Sequence, residues 1–184
     1  MDLYYETERL TLQVLLEKDA DRVLDFYLRN QAVFEAREPS RPANFYTREY
    51  QAMLLRAEFQ MAVKLHGVRF WLFEKTNPGQ IIGTVSFQNV IRSVYQSCQI
   101  GYKLDEAYWH RGYAREAILR AIPVALNDLH LHRIEALVLP DNLPSIRLLE
   151  RLGFEREGVC RSCVYLHFGW ADHLMYSYIR PESP

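Results

Sequence analysis

Several stretches of the chain show the alternation of hydrophobic and polar residues that is typical of β-strands. Leu10, Leu12 and Val14 alternate with polar residues, the period-two pattern of a strand with one buried face. Residues 77–79, Asn-Pro-Gly, predict the turn of a hairpin, and Gly169 predicts a later turn. The predicted strands are 10–14, 68–73, 81–87, 97–104, 133–139, 159–166 and 173–179.

In other segments hydrophobic residues recur every three or four positions, which predicts amphipathic helices. Pro123 interrupts such a stripe, and we expect a bend between Leu119 and Pro123 because an internal proline removes a helix hydrogen bond. Thr47 is suited to cap the second helix, and Gly153 predicts a left-handed stop after the last one. The predicted helices are 19–29, a helix after Thr47 that includes 50–61, 113–129 and 144–152.

A strand, a helix and a strand follow one another between residues 97 and 139. Because such a crossover joins parallel neighbours, we expect 97–104 and 133–139 to lie side by side, with the loop before the helix at the C-terminal end of the first strand. Ligands of open α/β sheets bind at that end. A chain of 184 residues is long enough for one well-buried core and short for two, so we expect a single domain over 1–184.

The composition is that of an ordered globular protein without a strong charge field. Hydrophobic residues make up 49% of the chain, and 22 Lys and Arg against 23 Asp and Glu give a formal charge of −1. Since nucleic-acid binders use a basic field, we expect no direct nucleic-acid partner. No apolar run approaches the roughly 18 residues of a membrane span, and no signal peptide is visible. We therefore expect a cytoplasmic protein with no membrane partner.

The three cysteines, Cys98, Cys160 and Cys163, are too few for a disulfide framework, which fits a reducing compartment. Cys160 and Cys163 have the spacing of half a zinc site, but a second ligand pair is missing from the sequence. Residues three apart in a strand point to opposite faces. We therefore interpret both as free thiols and predict no metal site.

The most informative stretch is the loop from Tyr108 to Ala117, which contains basic residues and Gly112. It leads into a predicted helix, whose first four N–H groups lack intrahelical partners and whose dipole is positive at that end. Gly112 lets the main chain approach a ligand closely. These features predict a phosphate site, while one glycine and one arginine before a helix are also common in ordinary surface turns.

Four segments, in the same order, resemble those of the GNAT acyltransferases. Within that family the likeness is to the group that acetylates the N-terminal amines of ribosomal proteins. It implies an α/β (α+β) fold, a single GNAT-type domain with a mixed, mostly antiparallel twisted sheet of about seven strands, a parallel pair at the centre and about four flanking helices. The segments are Glu6–Leu12 (opening strand), Ile81–Val85 (middle hairpin), Ile100–Leu104 with Tyr108–Ala114 (acetyl-CoA segment) and Pro140–Phe154 (second conserved helix).

The resemblance also implies acetyl-CoA as co-substrate and assigns residues to it. Main-chain N–H groups of 111–115 would hold the pyrophosphate, and the pantetheine arm would enter a gap between the parallel strands, beside 102–104. Asn142 matches a cofactor-binding asparagine, with a helix N-cap as the alternative. Trp109 and His110 stand where the family often has a polar residue and a glycine. The expected cofactor-binding residues are Tyr102, Lys103, Leu104, Trp109, His110, Arg111, Gly112, Tyr113, Ala114, Arg115 and Asn142.

Acyl transfer from a thioester to an amine needs an uncharged nucleophile, a hydrogen-bond donor for the oxyanion and a proton for the thiolate. A backbone N–H of strand 97–104 would serve the oxyanion. Many relatives have a tyrosine as the general acid where this chain has Leu149. In the ribosomal-protein group the proposed general acid is a serine, and the matching position here is Ser145. The alternative for Ser145 is a hydrogen bond to its own backbone.

The general base is less defined. Gln99 stands at the position of the family's usual glutamate and cannot accept a proton at neutral pH. Glu35 and Glu38 are further candidates, with ordinary solvated acids as the alternative. We expect Tyr102 and Tyr165 to be walls of the cleft. The candidate catalytic positions are Ser145 and Gln99.

The acceptor stays open because a fold does not fix a function. The leading hypothesis, which the resemblance implies, is the N-terminal α-amine of a ribosomal protein. An α-amine with a pKa of about 8 is partly neutral at pH 7, so a weak base could suffice. The alternatives are a small amine, such as a polyamine, an aminoglycoside or an amino acid, and a protein that binds acetyl-CoA without turnover. The expected partners are acetyl-CoA and the acceptor, and the chain is expected to be a monomer or homodimer.

Overall fold

A mixed sheet runs through the computed structural model, which describes residues 1–180. The described residues contain the strands β1 Tyr4–Glu6, β2 Leu10–Gln13, β3 Val68–Glu74, β4 Asn77–Ile91, β5 Ser97–Leu104, β6 Arg133–Val138, β7 Glu155–Leu166 and β8 Gly169–Ile179. These eight strands lie in the order β1-β2-β3-β4-β5-β6-β8-β7. Neighbours are antiparallel except for β5 and β6, which are parallel. The parallel pair predicted from the crossover is therefore confirmed.

The α-helices of residues 1–180 are α1 Ala20–Arg29, α2 Gln31–Glu35, α3 Arg48–Val63, α4 Tyr113–Pro123 and α5 Leu143–Arg151. Thr47 caps α3 as predicted, since its side chain accepts a hydrogen bond from the Tyr50 N–H at 3.3 Å. Gly153 follows α5 in the predicted left-handed conformation, with φ +85°. No helix within this part of the chain is both long and apolar enough to span a membrane.

Pro123 divides the predicted helix 113–129 in two. The α-helical part ends at Pro123, and Val124–Asp128 forms a π-helical turn, which closes with a bond from the Leu129 N–H to the Val124 carbonyl at 2.9 Å. Proline has no N–H to give to an α-helical ladder. The structure thus shows a change of helix type after Pro123, and the bend expected between Leu119 and Pro123 stays a prediction.

The helices cover the two faces of the sheet. One hydrophobic cluster joins α1, α2 and α3 to one face, and the other joins α4 and α5 to the opposite face. Successive side chains of a strand point to opposite faces, so Trp71 and Phe73 of β3 lie in the first cluster and Leu72 between them lies in the second. The first contains Val23, Phe26, Leu55, Trp71 and Phe73, and the second contains Leu72, Ile118, Ile134, Leu149 and Tyr176.

The turn between β3 and β4 lies earlier than predicted. It falls at 75–76, and β4 already begins at Asn77. The pairing then shifts from Glu74↔Asn77 to Phe73↔Ile81, so the proline and glycine lie in an irregular part of the ladder that needs no N–H from Pro78. The turn predicted around Gly169 falls just before it, since β8 begins at that residue.

The prediction that Cys160 and Cys163 point to opposite faces is wrong. The pairing of β7 with β8 jumps from Cys160↔His173 to Val164↔Ala171, and Ser162 between the cysteines has φ +48°. Extra residues in one strand break the alternation of faces. Burial is the main cause that raises the pKa of the Cys163 thiol, and a hydrogen bond with the Cys160 thiol raises it further. Both cysteines are free.

Candidate active site

A gap opens between the two parallel strands. β5 and β6 pair only from Ser97↔Arg133 to Gln99↔Glu135, although β5 continues to Leu104 and β6 to Val138. On its other side β5 stays paired with β4 as far as Gly83↔Leu104. The strands therefore part after Gln99, and the main chain of β5 that faces β6 has no strand partner there. This is the gap expected beside 102–104.

A cavity of about 180 Å³ lies at this gap. Ser145 of α5 contributes from one face of the sheet, and Arg37, which follows α2, contributes from the other. A ligand in the gap can thus be reached from both faces. The lining residues are Arg37, Ile100, Gly101, Tyr102, Ala136, Leu137, Val138, Leu139, Asn142, Ser145 and His173.

Asn142 and Ser145 stand at the start of α5. The Asn142 Oδ1 accepts a hydrogen bond from the Ser145 N–H at 3.3 Å, so the N-cap role considered for Asn142 is confirmed. Its side chain also lines the cavity, and within residues 1–180 its amide nitrogen makes no hydrogen bond. The Ser145 hydroxyl bonds to the Tyr102 hydroxyl and makes no bond to the backbone of the described residues. Capping therefore leaves both side chains available to a ligand.

Tyr102 supplies a second hydroxyl to the cavity. Burial raises the pKa of Tyr102 to about 12, so the phenol keeps its proton at neutral pH. Leu149, at the family's tyrosine position, is fully buried. Tyr102 was expected only as a cleft wall and a main-chain contact. The signal that could have revealed its hydroxyl is the alternation of β5, since Ile100 and Tyr102 share the face on which α5 packs.

The N-terminus of α4 offers free backbone donors. Gly112 is the N-cap with φ +81°, and no side chain caps the helix. The first intrahelical bond runs from the Glu116 N–H to the Gly112 carbonyl at 3.1 Å, which leaves the N–H groups of 113–115 without helical partners. A non-glycine residue in the left-handed region is strained. The arrangement fits a pyrophosphate. The free N–H groups and the positive end of the helix dipole would both attract it.

Two predicted cofactor residues have side chains that are hydrogen-bonded to other parts of the protein. Tyr113 is buried and its hydroxyl donates to Glu74, so only its main chain is available to a phosphate. The Trp109 indole N–H donates to the Leu104 carbonyl at 3.1 Å. That carbonyl is therefore already engaged, and Trp109 ties the loop to the end of β5. The side chains of His110, Arg111 and Arg115 are exposed.

Arg9 is a neighbour of the loop that no sequence pattern indicated. Its guanidinium donates to the Arg111 carbonyl at 3.0 Å and pairs with Glu116 at 2.6 Å. It also lies over the Tyr113 ring, 4.5 Å from its centre. Arg9 therefore supports the loop and adds positive charge beside it. These contacts join residues about a hundred positions apart, which a local pattern cannot reveal.

Lys103 points to the face covered by α1, α2 and α3. Its ammonium pairs with Glu38, which also pairs with Arg41. Burial lowers the pKa of Lys103 to about 8, against the opposing effect of Glu38. Only the main chain of Lys103 is therefore open to a ligand in the gap. Held by two cations, Glu38 anchors the segment between α2 and α3 and is a poor candidate for the base.

Three other expected site residues lie away from the cavity. Gln99 belongs to the paired part of β5, and its Oε1 accepts from Asn89 at 2.8 Å. Glu35 is exposed and accepts from the Tyr46 hydroxyl at 2.7 Å. Tyr165 is 58% exposed and packs on Trp170, so the expectation that it forms a cleft wall is wrong. It lies on β7, which is the edge strand of the sheet.

His173 is the functional candidate that the sequence did not reveal. It lies on β8, only 6% of its surface is exposed, and it lines the cavity. In the sequence it was one residue of a predicted closing strand. Its approach to Ser145 and Arg37 depends on the order of β5, β6 and β8 in the sheet.

Comparison with known proteins identifies the family. Residues 9–155 match the acetyltransferase (GNAT) domain. The chain is 32% identical over 178 residues to the [ribosomal protein uS5]-alanine N-acetyltransferase of Escherichia coli, covering 96% of this chain and 90% of that protein. The crystal structure of ribosomal-protein-S5-alanine acetyltransferase from Vibrio fischeri has a TM-score of 0.91 to this chain at 30% identity, covering 97% of each.

The fold is also that of more distant structures. Mycobacterium smegmatis RimJ in complex with CoA-disulfide has a TM-score of 0.85 at 24% identity, covering 92% of this chain and 81% of that one. The predicted family, enzyme class and co-substrate are confirmed. With a family match over most of its length and a relative at 32% identity, the chain belongs to the GNAT acetyltransferases and is an acetyl-CoA-dependent N-acetyltransferase.

Proposed function

We propose that the protein acetylates the N-terminal α-amine of a polypeptide, with a ribosomal protein as the substrate class. The observation that carries this proposal is the charge of the cavity. Within residues 1–180 its lining contains Arg37 and no Asp or Glu. Polyamines and aminoglycosides carry several positive charges and call for acidic walls, whereas a peptide terminus brings a single amine. The names of the Escherichia coli and Vibrio fischeri relatives agree with an N-terminal alanine acceptor.

The donor is held mainly by backbone. The N–H groups of 113–115 hold the pyrophosphate, with Arg111 and Arg115 beside it. The free main-chain groups of 100–104, apart from the Leu104 carbonyl that Trp109 engages, bond the pantetheine arm. The Asn142 amide nitrogen adds a side-chain contact. When bound, acetyl-CoA supplies an acetyl group activated as a thioester. Backbone N–H groups of β5 beyond Gln99 stabilise the negative charge that develops on its carbonyl oxygen.

Ser145 is the proposed general acid. It donates its hydroxyl proton to the departing sulfur, the Tyr102 hydroxyl, bonded to Ser145, returns a proton to the serine, and water returns a proton to Tyr102. Because burial raises the pKa of Tyr102 to about 12, the phenol is protonated at the start of each turnover. The two hydroxyls thus form one proton path, in place of the single tyrosine that Leu149 replaces.

Thiol release with a panel of acceptors tests the proposal. The panel holds a short peptide that begins with alanine, the same peptide with its terminus blocked, spermidine, an aminoglycoside and free alanine. We expect release with the free-terminus peptide and none with the blocked one, because the α-amine is the nucleophile. Faster release with spermidine, the aminoglycoside or free alanine would replace a polypeptide acceptor with a small amine.

A further inference from the structure

His173 is a buried histidine with one free ring nitrogen. Its Nδ1 lies 3.3 Å from the Ala171 carbonyl oxygen. A carbonyl only accepts hydrogen bonds, so Nδ1 carries the proton and, in the neutral ring, Nε2 carries the lone pair. Within residues 1–180 Nε2 has no hydrogen-bond partner, and it is not among the fully buried polar atoms without one. This nitrogen is therefore not fully buried, and it belongs to a residue that lines the cavity.

The strand order places His173 on the face opposite Ser145. Leu174 packs in the cluster of α4 and α5, and Tyr176 bonds Glu150 of α5. By alternation, His173 points to the face of α1, α2 and α3, the same side as Arg37. The cavity thus has Ser145 and Tyr102 on one side of the gap and His173 on the other. An acid and a base on opposite sides of a carbonyl suit acyl transfer.

We propose that His173 is the general base that takes the proton from the acceptor amine. Nε2 takes one proton from the ammonium form of the acceptor, and the neutral amine nitrogen then bonds to the acetyl carbon as the carbon–sulfur bond breaks and the Ser145 proton passes to sulfur. His173 releases its proton to water at the mouth of the cavity, and the proton that the nitrogen loses as the amide forms returns through water to the Ser145–Tyr102 pair. The products are the amide and the free thiol, so atoms and charge balance. The role rests on the proposed function only in the choice of acceptor.

Other titratable groups surround His173 on every neighbouring element. Arg37 and Tyr102 line the same cavity, Cys160 is its partner on β7, and Cys163 bonds its backbone. Lys103 lies on the same face of β5, where Glu38 holds it. Neither the arginine nor the phenol of raised pKa can take a proton from an amine at neutral pH. The imidazole is the group suited to that step.

The first test compares wild-type protein with H173Q on the alanine-terminated peptide between pH 6.5 and 9.5. We expect kcat to fall about 100-fold at pH 7 and by far less at pH 9.5, where an amine with a pKa of about 8 is neutral without a base. The affinity for acetyl-CoA, measured by calorimetry, stays unchanged. H167Q, which changes an exposed histidine beside the β7–β8 turn, behaves as wild type. An unchanged kcat, or a defect equal at all pH values, would overturn the role.

The second test needs no acceptor. Long-range proton–nitrogen correlation spectra of nitrogen-labelled protein, with the His173 signals assigned by their loss in H173Q, report which ring nitrogen holds the proton. We expect the Nδ1–H form, and the Nε2–H form would overturn the proposal. If wild-type protein does not acetylate the peptide, the proposed acceptor fails. The pH comparison is then made with the amine of the panel that is acetylated.

Discussion

The donor side and the acceptor side of the gap are built differently. The donor side is local and largely main chain, since the N-terminus of α4, the free edge of β5 and the start of α5 come from two short stretches of sequence. The acceptor side joins distant side chains, with Arg37 after α2, Lys103 on β5 and His173 on β8. A backbone cradle tolerates sequence change, so Trp109 and His110 can depart from the family pattern. The proposed proton transfers need particular side chains, and Tyr102 and His173, which we assign to them, do not stand at the family's positions, which hold Leu149 and Gln99 here.

Among the changes that test this comparison, removal of the Ser145 hydroxyl, the proposed general acid, is expected to have the largest effect. For S145A we predict a kcat about 100-fold lower, with acetyl-CoA affinity unchanged because the donor is held by backbone. Y102F is expected to lose about tenfold, and the double variant should be no slower than S145A, since both hydroxyls serve one proton path. Thiol-release kinetics and calorimetry measure both quantities.

Y95F changes an exposed tyrosine of the β4–β5 turn and serves as the matched control. Full turnover by S145A would remove the serine from catalysis. Losses that multiply in the double variant would mean that the two hydroxyls act independently.

The backbone cradle is tested next, by Gly112→Val. A β-branched residue is strained at φ +81°, so the loop must leave the conformation that aims its N–H groups. We predict acetyl-CoA binding about tenfold weaker, equivalent to about 1.4 kcal/mol, by calorimetry. Gly79→Val is the control, because a Cβ at Gly79 would meet only the Asn77 Oδ1, at 3.9 Å, and its φ lies outside the left-handed region. Equal affinity of Gly112→Val and wild type would contradict a main-chain cradle.

The smallest expected effect concerns the buried lysine of the acceptor side. The pKa of Lys103 is about 8 in the fold and about 10.4 in an unfolded chain. Between these pH values the unfolded chain binds more protons, so stability rises with pH in that window, and the destabilising contribution is fully present below it. Since Lys103 keeps a fifth of its side chain exposed, we predict a gain of about 1 kcal/mol.

Urea unfolding at pH 8 and pH 10 measures this gain as the difference between wild type and Lys103→Met. The exposed Lys64→Met is the control and should show no such difference. If the wild-type protein loses stability relative to Lys103→Met between the two pH values, the fold does not disfavour the charged form of Lys103.

The sequence predictions were accurate where contiguous residues fix the structure, and they missed features that join distant segments. The parallel pair and the α4 N-terminus were predictable because a crossover and a helix start are fixed by contiguous residues. β1 was missed because three residues are too few to show a period, and α2 has only five. The bulge at Ser162, the contact of Arg9 with the loop and the position of His173 depend on strand pairing between distant segments. Gln99 kept its family position, yet the structure puts it in the paired part of β5, outside the cavity.

The central claim is that the gap delivers an acetyl group to a polypeptide α-amine. The most direct measurement uses wild-type protein, acetyl-CoA and a peptide with an N-terminal alanine and an internal lysine, followed by fragmentation mass spectrometry of the product. We predict a single acetyl group on the alanine nitrogen, because the α-amine, with its pKa of about 8 against about 10.4 for lysine, is the more readily neutral of the two. Acetylation of the lysine side chain alone, or none, would contradict the account.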